Sequence, residues 1–344
     1  MELLDNANRI AQRDTMDALG LAAKTAGQLR HNFGFLAPEH GEILNIVFAG
    51  MGGSSLQAEY VRTWPQLWVP YVICKDYHIP DFVGEKTLVI VSSYSGNTEE
   101  TLSALEEARA KGAMIVVNAG GGILQTKAEE YNLPLVITPK AVQPRMVVFY
   151  AYRILVEILV AYGLADRGAC RELSEAADYL ERCSTTWYKE IPTDQNPAKQ
   201  LAMSLVGKTP IVYSGPLMWP AAYKWKIGFN ESAKNTAWYG TYPEFNHNEF
   251  MGWTSHPIDK PFAVIDLVSR FEHPRTQRRF EVSDRLLSGM RPKALRVDAQ
   301  GESVLQQLLE LTLFGDFVSI YLGLLNGVDP SPVALIEKFK KELG

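Results

Sequence analysis

Three short stretches carry the residue types that chemistry requires. The first is Gly50-Met-Gly52-Gly53-Ser54-Ser55. Glycines let a ligand approach the main chain closely, and N–H groups at a helix start, with Ser hydroxyls, favour an anion. A tight turn with a Ser N-cap has the same composition. No GK[ST] follows, so this is not a Walker loop, and Ser55 stands where a GxGxxG loop has its third glycine. The second stretch is Ser92-Ser93-Tyr94-Ser95-Gly96-Asn97-Thr98-Glu99-Glu100-Thr101. Ser93, Ser95 and Thr98 can each donate to a phosphate oxygen; SGNTEE is equally a helix-start pattern, with Thr98 and Thr101 as capping residues. The third is Asn230-Glu231-Ser-Ala-Lys-Asn235 followed by Pro243-Glu244-Phe-Asn246-His247-Asn248-Glu249. A carboxylate in partly apolar surroundings can shuttle protons, and an imidazole exchanges them near neutral pH. A polar helix face and a loop with a capping His would read the same way. No HxxxH or HExxH spacing occurs, so no metal is expected.

These stretches need elements to position them. Ile43-Gly50, Tyr71-Asp76, Thr87-Ser92, Met114-Asn118 and Leu133-Thr138 are short runs rich in Val and Ile, bounded by Gly, Pro or polar residues. Buried parallel strands read in this way. Between them lie helical patterns such as TEETLSALEEARAKG, with Gly112 as its stop. Alternating strands and helices predict βαβ units with helices on both faces of a mostly parallel sheet, a flavodoxin-like three-layer α/β sandwich. The first two chemical stretches then fall after strands, where ligands bind in open α/β sheets.

The second half repeats the pattern. Ile46-Gly50 is similar to Ile211-Gly215, Thr87-Val91 to Phe262-Asp266, and Ala113-Asn118 to Lys293-Asp298, at offsets of 165, 175 and 180 residues. The same strands in the same order predict a duplicated domain. The counterparts of the two hydroxyl loops, Ser214-Gly-Pro-Leu and Val268-Ser-Arg-Phe-Glu, lack the Ser/Thr cluster. One phosphate site per chain is expected, in the first domain. The polar stretch Ser184-Gln200 is read as the boundary. The first domain, with an N-terminal helix, is expected over 1–184 and the second, with a C-terminal helix, over 200–344.

Composition narrows the classes further. The 344 residues are 47% hydrophobic and 21% charged, with a net charge of -5. That is material for two globular domains, with no basic surface for nucleic acid. Cys74, Cys170 and Cys183 form no CxxC pair and are odd in number, which fits a reducing cytoplasm. MELLDNANRIAQRD has no secretory apolar core. Met146 to Leu164 reads as the longest apolar run; Arg153 and Glu157 interrupt it, so a buried helix and no membrane span is expected.

GMGGSS, SSYSGNTEET, Gln143-Pro144-Arg145, FNESAKN, PEFNHNEFMGW and the terminal DPSPVALIEKFKKEL together resemble the sugar isomerase (SIS) domain. More narrowly they resemble the bifunctional phosphoglucose/phosphomannose isomerases, over nearly the whole chain. SYSGNTEET alone marks only the superfamily; Glu231 with PEFNHNE and DPxPV is more specific. The resemblance implies two SIS-type domains and a metal-independent, cofactor-free aldose-ketose isomerase. Its substrates would be fructose 6-phosphate with glucose and mannose 6-phosphates. It implies that Gly52, Gly53, Ser54, Ser93, Ser95 and Thr98 hold the sugar phosphate. Glu231 would move the proton between C1 and C2, and Arg145 would stabilise the enediolate. His247, supplied by the partner subunit of a homodimer, would help open the ring, and Lys338 would lie near the ring oxygen. Ser331 stands where the bifunctional members carry Thr, whose hydroxyl is associated with accepting the mannose epimer. Three other readings compete with this one: a SIS isomerase of an amino sugar or pentose phosphate, a non-catalytic SIS regulator that binds sugar phosphate, and a dehydrogenase. No DNA-binding segment supports the regulator, and no complete fingerprint supports the dehydrogenase.

Overall fold

The computed structural model describes residues 3–141, 143–255 and 261–343. The outermost residues of the expected domain bounds, 1, 2 and 344, lie outside the described residues. In chain order the strands are β1 (Asn45–Gly50), β2 (Tyr71–Cys74), β3 (Thr87–Ser93), β4 (Met114–Ala119), β5 (Leu135–Ile137), β6 (Thr209–Ser214), β7 (Trp238–Thr241), β8 (Phe262–Val268) and β9 (Leu295–Asp298). The helices are α1 (Ala7–Arg13), α2 (Ala18–Lys24), α3 (Leu56–Val61), α4 (Glu99–Ala110), α5 (Gly122–Glu130), α6 (Val148–Ala161) and α7 (Ala169–Ser184), then α8 (Pro197–Ser204), α9 (Trp219–Glu231), α10 (Glu249–Gly252), α11 (Pro274–Leu286), α12 (Val304–Leu325) and α13 (Ala334–Leu343).

The chain forms two compact units. The first is Thr25–Asp178; the second joins the residues up to Lys24 to those from Tyr179 onward. The compact units differ from the expected bounds at both places. The N-terminal helices belong with the C-terminal half because their polar side chains find partners there. Asp5 accepts from Thr193 N at 2.9 Å and pairs with the buried Lys199 ammonium at 3.2 Å. Arg13 donates to Leu324 O, and Thr15 bonds Asp329. The division falls within α7 rather than in the polar stretch after it.

The first unit holds one parallel sheet in the order β2-β1-β3-β4-β5. Val47, Ala49, Val89, Val91, Ile115 and Val117 pack with Ala104, Leu105 and Ala108 of α4 and with Leu124 and Ala128 of α5. The alternate residues Ile46, Phe48, Leu88, Ile90 and Val116 are buried as well. Strands buried on both faces explain the unbroken apolar runs. Helix α6 is buried, as expected; Arg153 pairs with Glu157 at 2.7 Å and donates to Leu29 O and Cys170 O, so neither charge is orphaned.

Among the described residues the second unit repeats the topology with one strand fewer, β7-β6-β8-β9. Asn45 lies opposite Thr87 in one central ladder, and Thr209 opposite Phe262 in the other. Strand β6 therefore corresponds to β1 one residue earlier than sequence similarity suggests. The faces agree: Ile211, Tyr213 and Val264 face one core as Val47, Ala49 and Val89 face the other. A slip of one residue would turn each strand inside out.

Helix α12 corrects the reading of the longest apolar run. It is long and apolar enough to cross a membrane, and 89% of its apolar window is buried inside the unit. Its polar groups are matched within the protein. Glu310 accepts from Tyr179 Oη at 2.7 Å and from Gln300 N and Gly301 N at 2.9 Å, while Asp316 pairs with the buried Lys224. A helix apolar on all sides is a core helix when other helices cover it.

Candidate active site

In the first unit, strand order reverses direction between β1 and β3, and the carboxyl ends of those strands form the switch-point crevice where doubly wound sheets bind ligands. The turn Gly52–Ser55 follows β1 and the loop Ser93–Thr98 follows β3. They are bonded to each other: Tyr94 N donates to Ser54 Oγ at 2.9 Å. Thr98 occupies the N-cap position of α4, yet its side chain makes no capping bond. Its hydroxyl lies 2.9 Å from Ser93 Oγ, and Ser95 Oγ lies 3.5 Å from the same atom. In the first turn of α4 the Thr101 amide donates to Thr98 O at 3.1 Å, while Glu99 and Glu100 come too early to reach a helical carbonyl. A side-chain cap on α4 does not account for Thr98, while Ser93 Oγ and Ser95 Oγ accept from Gly96 N at 3.1 Å and Asn97 N at 3.3 Å; three hydroxyls beside a helix N-terminus are groups that an anion would need.

The turn that carries Arg145 packs beside Gly53. Arg145 is 3% exposed in this short turn, Pro144–Met146. A Cβ on Gly53 would come within 3.3 Å of Pro144 Cβ and 3.5 Å of Arg145 N, so the glycine lets the two turns meet. The Tyr94 hydroxyl bonds both the N–H and the carbonyl of Ala141, holding the loop to the segment that precedes Arg145. Beneath the cradle runs a buried polar chain. Gln57 Nε2 donates to Ser54 O at 2.6 Å and to Ser92 Oγ at 3.0 Å; Ser92 Oγ donates to Asn118 Oδ1 at 3.1 Å; Asn118 Nδ2 donates to Thr138 Oγ1 at 2.7 Å. Sequence reasoning missed Gln57, Asn118 and Thr138, since the links from Gln57 through Ser92 to Thr138 span 20 to 35 positions and follow no motif.

The equivalent place in the second unit is occupied by the protein itself. After β6, Leu217 N and Met218 N donate to Glu272 Oε1 at 2.8 and 3.3 Å. Glu272 is 3% exposed, and a Cβ on Gly215 would collide with its carboxyl group at 2.3 Å. Burial pushes this carboxyl up from its usual range, and the two amides oppose the shift. A carboxylate already holds the amides that a phosphate would need. Glu272 is the final residue of the VSRFE stretch that lacks the hydroxyl cluster.

The remaining expected site residues lie in the second unit. Glu231 is the last residue of α9 and is half-buried. Lys234 joins its neighbourhood to Ser331: the ammonium donates to Glu231 O and, at 3.3 Å, to Pro330 O. Asn326 Nδ2 donates to Ala233 O at 3.0 Å, and Ser331, fully buried, donates its N–H to Asp329 at 2.9 Å. The FNESAKN and DPSPV motifs, about 100 residues apart, are thereby one structural feature. His247 ends a short turn, Glu244–His247, and is exposed; Lys338 is exposed on α13.

The architecture defines a class, two SIS domains in tandem. Residues 43–162 match the model of the SIS domain, and residues 194–343 match that of the bacterial phospho-glucose isomerase C-terminal SIS domain. The fold is shared with a crystal structure of a glucose-6-phosphate isomerase like protein from Thermus thermophilus, with a TM-score of 0.65 at 22% identity over 99% of both chains. The chain belongs to the bifunctional phosphoglucose/phosphomannose isomerase family. It is 34% identical to the member from Caldicellulosiruptor bescii over 88% of this chain and 90% of that protein. It is 33% identical to the member from Aquifex aeolicus over 87% and 90%. A D-glucosamine-6-phosphate 4-epimerase of Sulfolobus acidocaldarius is 33% identical over 64% of this chain and 70% of that protein.

Replacing Ser95 with Ala tests the cradle. The phosphate does not react, so affinity is expected to fall while the chemical step is spared. Loss of a hydrogen bond to a charged group costs about 1.5–3 kcal/mol, or about 10- to 100-fold in Kd. Calorimetric titration with fructose 6-phosphate measures it; wild-type affinity would remove Ser95 from the site.

Proposed function

We propose that this chain interconverts fructose 6-phosphate with glucose 6-phosphate and mannose 6-phosphate by proton transfer through a cis-enediol(ate). Gly52, Gly53, Ser54, Ser93, Ser95 and Thr98 hold the phosphate, which anchors the sugar without reacting. Glu231 takes the proton from one of C1 and C2 and returns it to the other. The Arg145 guanidinium stabilises the oxyanion of the intermediate, where charge develops. His247 exchanges a proton with the ring oxygen during opening, and Lys338 lies near that oxygen. Ser331 keeps the hydroxyl associated with the mannose epimer. The observation that carries this reading is the undivided hydroxyl cradle of the first unit, set against the self-occupied counterpart at Glu272. A site used only to sense sugar phosphate would need the cradle but not Glu231, Arg145 and His247 together. Supplied with fructose 6-phosphate, the protein is expected to yield both aldoses, resolved by chromatography. Saturable binding without either product would make it a regulator, and an amino-sugar product would place it beside the epimerase.

The active form is a homodimer in which His247 serves the partner's substrate. This rests on membership of the family and on the exposure of His247. Mixing Glu231→Gln with His247→Ala tests it. Each homodimer is expected to be inactive, and each hybrid to regain one intact site of two. No recovery after proven subunit exchange would mean that each chain is self-sufficient.

A further inference from the structure

Tyr213 lies in β6, fully buried, and the segment that carries His247 wraps around it. Phe245 packs on its ring with centroids 4.6 Å apart. Its hydroxyl donates to Glu249 Oε1, and the Trp253 indole hydrogen-bonds the same hydroxyl. The turn is held from the side as well. Arg279 donates to Asn246 Oδ1 at 3.0 Å, Asn246 Nδ2 donates to Ser283 Oγ at 2.8 Å, and the buried Arg291 guanidinium lies about 6 Å from the rings of Phe245 and Trp253. His247 itself points outward from this anchored segment and is exposed. Burial and the Glu249 carboxylate both push the Tyr213 hydroxyl far above its usual range, so it remains a donor at every working pH.

We infer that Tyr213 is a positioning residue for the ring-opening step, its hydroxyl fixing, through Glu249, the turn that presents His247. The inference rests on the role proposed for His247. A catalytic group displaced by about 1 Å can lose as much as 100-fold in rate, so a single hydrogen bond two residues away has leverage.

Tyr213→Phe removes one oxygen and keeps the ring. Turnover of cyclic fructose 6-phosphate is expected to fall on the order of 10-fold or more at unchanged KM. 5-Deoxyfructose 6-phosphate, which cannot close a furanose ring, should be turned over at the wild-type rate. The imidazole NMR signal of His247 should shift or broaden while those of His31, His40 and His78 in the first unit stay in place. Glu249→Gln keeps an oxygen that accepts the bond and should behave as wild type; Glu249→Leu should reproduce Tyr213→Phe. An unmoved His247 signal together with an unchanged ratio of cyclic to acyclic turnover overturns the inference. So does equal loss on both substrates with every His signal displaced, which would assign the hydroxyl to folding. If the His247 signal moves but His247→Ala handles cyclic sugar normally, the positioning stands and the ring-opening role of His247 falls.

Discussion

Replacing Glu231 with Gln should lower turnover of fructose 6-phosphate by about 10² to 10⁴-fold, the range for losing a general base, which is about 3 to 5 kcal/mol of barrier. The amide keeps the shape of the carboxylate and cannot take the proton. Backbone hydrogen bonds hold the local frame. Ser232 N donates to Gly228 O at 2.7 Å, Asn235 N to Phe229 O at 3.0 Å, and Lys234 donates to the backbone carbonyl of Glu231. Because the residues proposed to hold the phosphate belong to the other unit, affinity for sugar phosphate should stay within a few-fold of wild type. Stopped-flow turnover and calorimetric titration on one preparation separate the two quantities. A wild-type rate would place the base elsewhere; a lost affinity would mean that the carboxylate serves binding.

His247→Ala should divide the substrates by form. Cyclic fructose 6-phosphate must open before C1 and C2 can exchange a proton, and loss of a general acid or base at that step costs about 10² to 10⁴-fold when ring opening limits the rate. 5-Deoxyfructose 6-phosphate bypasses the step and should retain most of its turnover. Spontaneous ring opening in solution sets a floor, so the residual rate on cyclic sugar should not rise with more enzyme once that floor limits. Equal effects on both substrates would assign His247 to binding or to the isomerisation step.

Much of this was legible in the sequence because it is local. Strands β1, β3 and β4 announce themselves as unbroken apolar runs, since both faces of the sheet are covered. The two hydroxyl loops are legible because Ser, Thr and Gly at strand ends suit an anion. What stayed hidden depends on partners distant in sequence. Glu272 takes the Leu217 amide of the second unit from 55 residues away, and only its loop's want of hydroxyls hinted at a difference from the first unit. The Gln57-Ser92-Asn118-Thr138 chain is four ordinary polar residues until the sheet brings them side by side. The N-terminal helices look like the start of the first domain by order, yet Asp5, Arg13 and Thr15 find their partners near Thr193, Leu324 and Asp329. Helix α12 escaped notice as an apolar run because Gln307, Glu310 and Asp316 break its pattern; each is matched inside the unit.

The central claim is that this chain moves a proton between C1 and C2 of a sugar phosphate. The most direct measurement is NMR of fructose 6-phosphate incubated with the protein in deuterium oxide. Proton transfer through an enediol(ate) predicts glucose 6-phosphate and mannose 6-phosphate carrying deuterium at C2, and solvent deuterium entering C1 of the ketose. Aldoses that form with no label at C2, or a ketose that binds in the cradle and never exchanges, would contradict it.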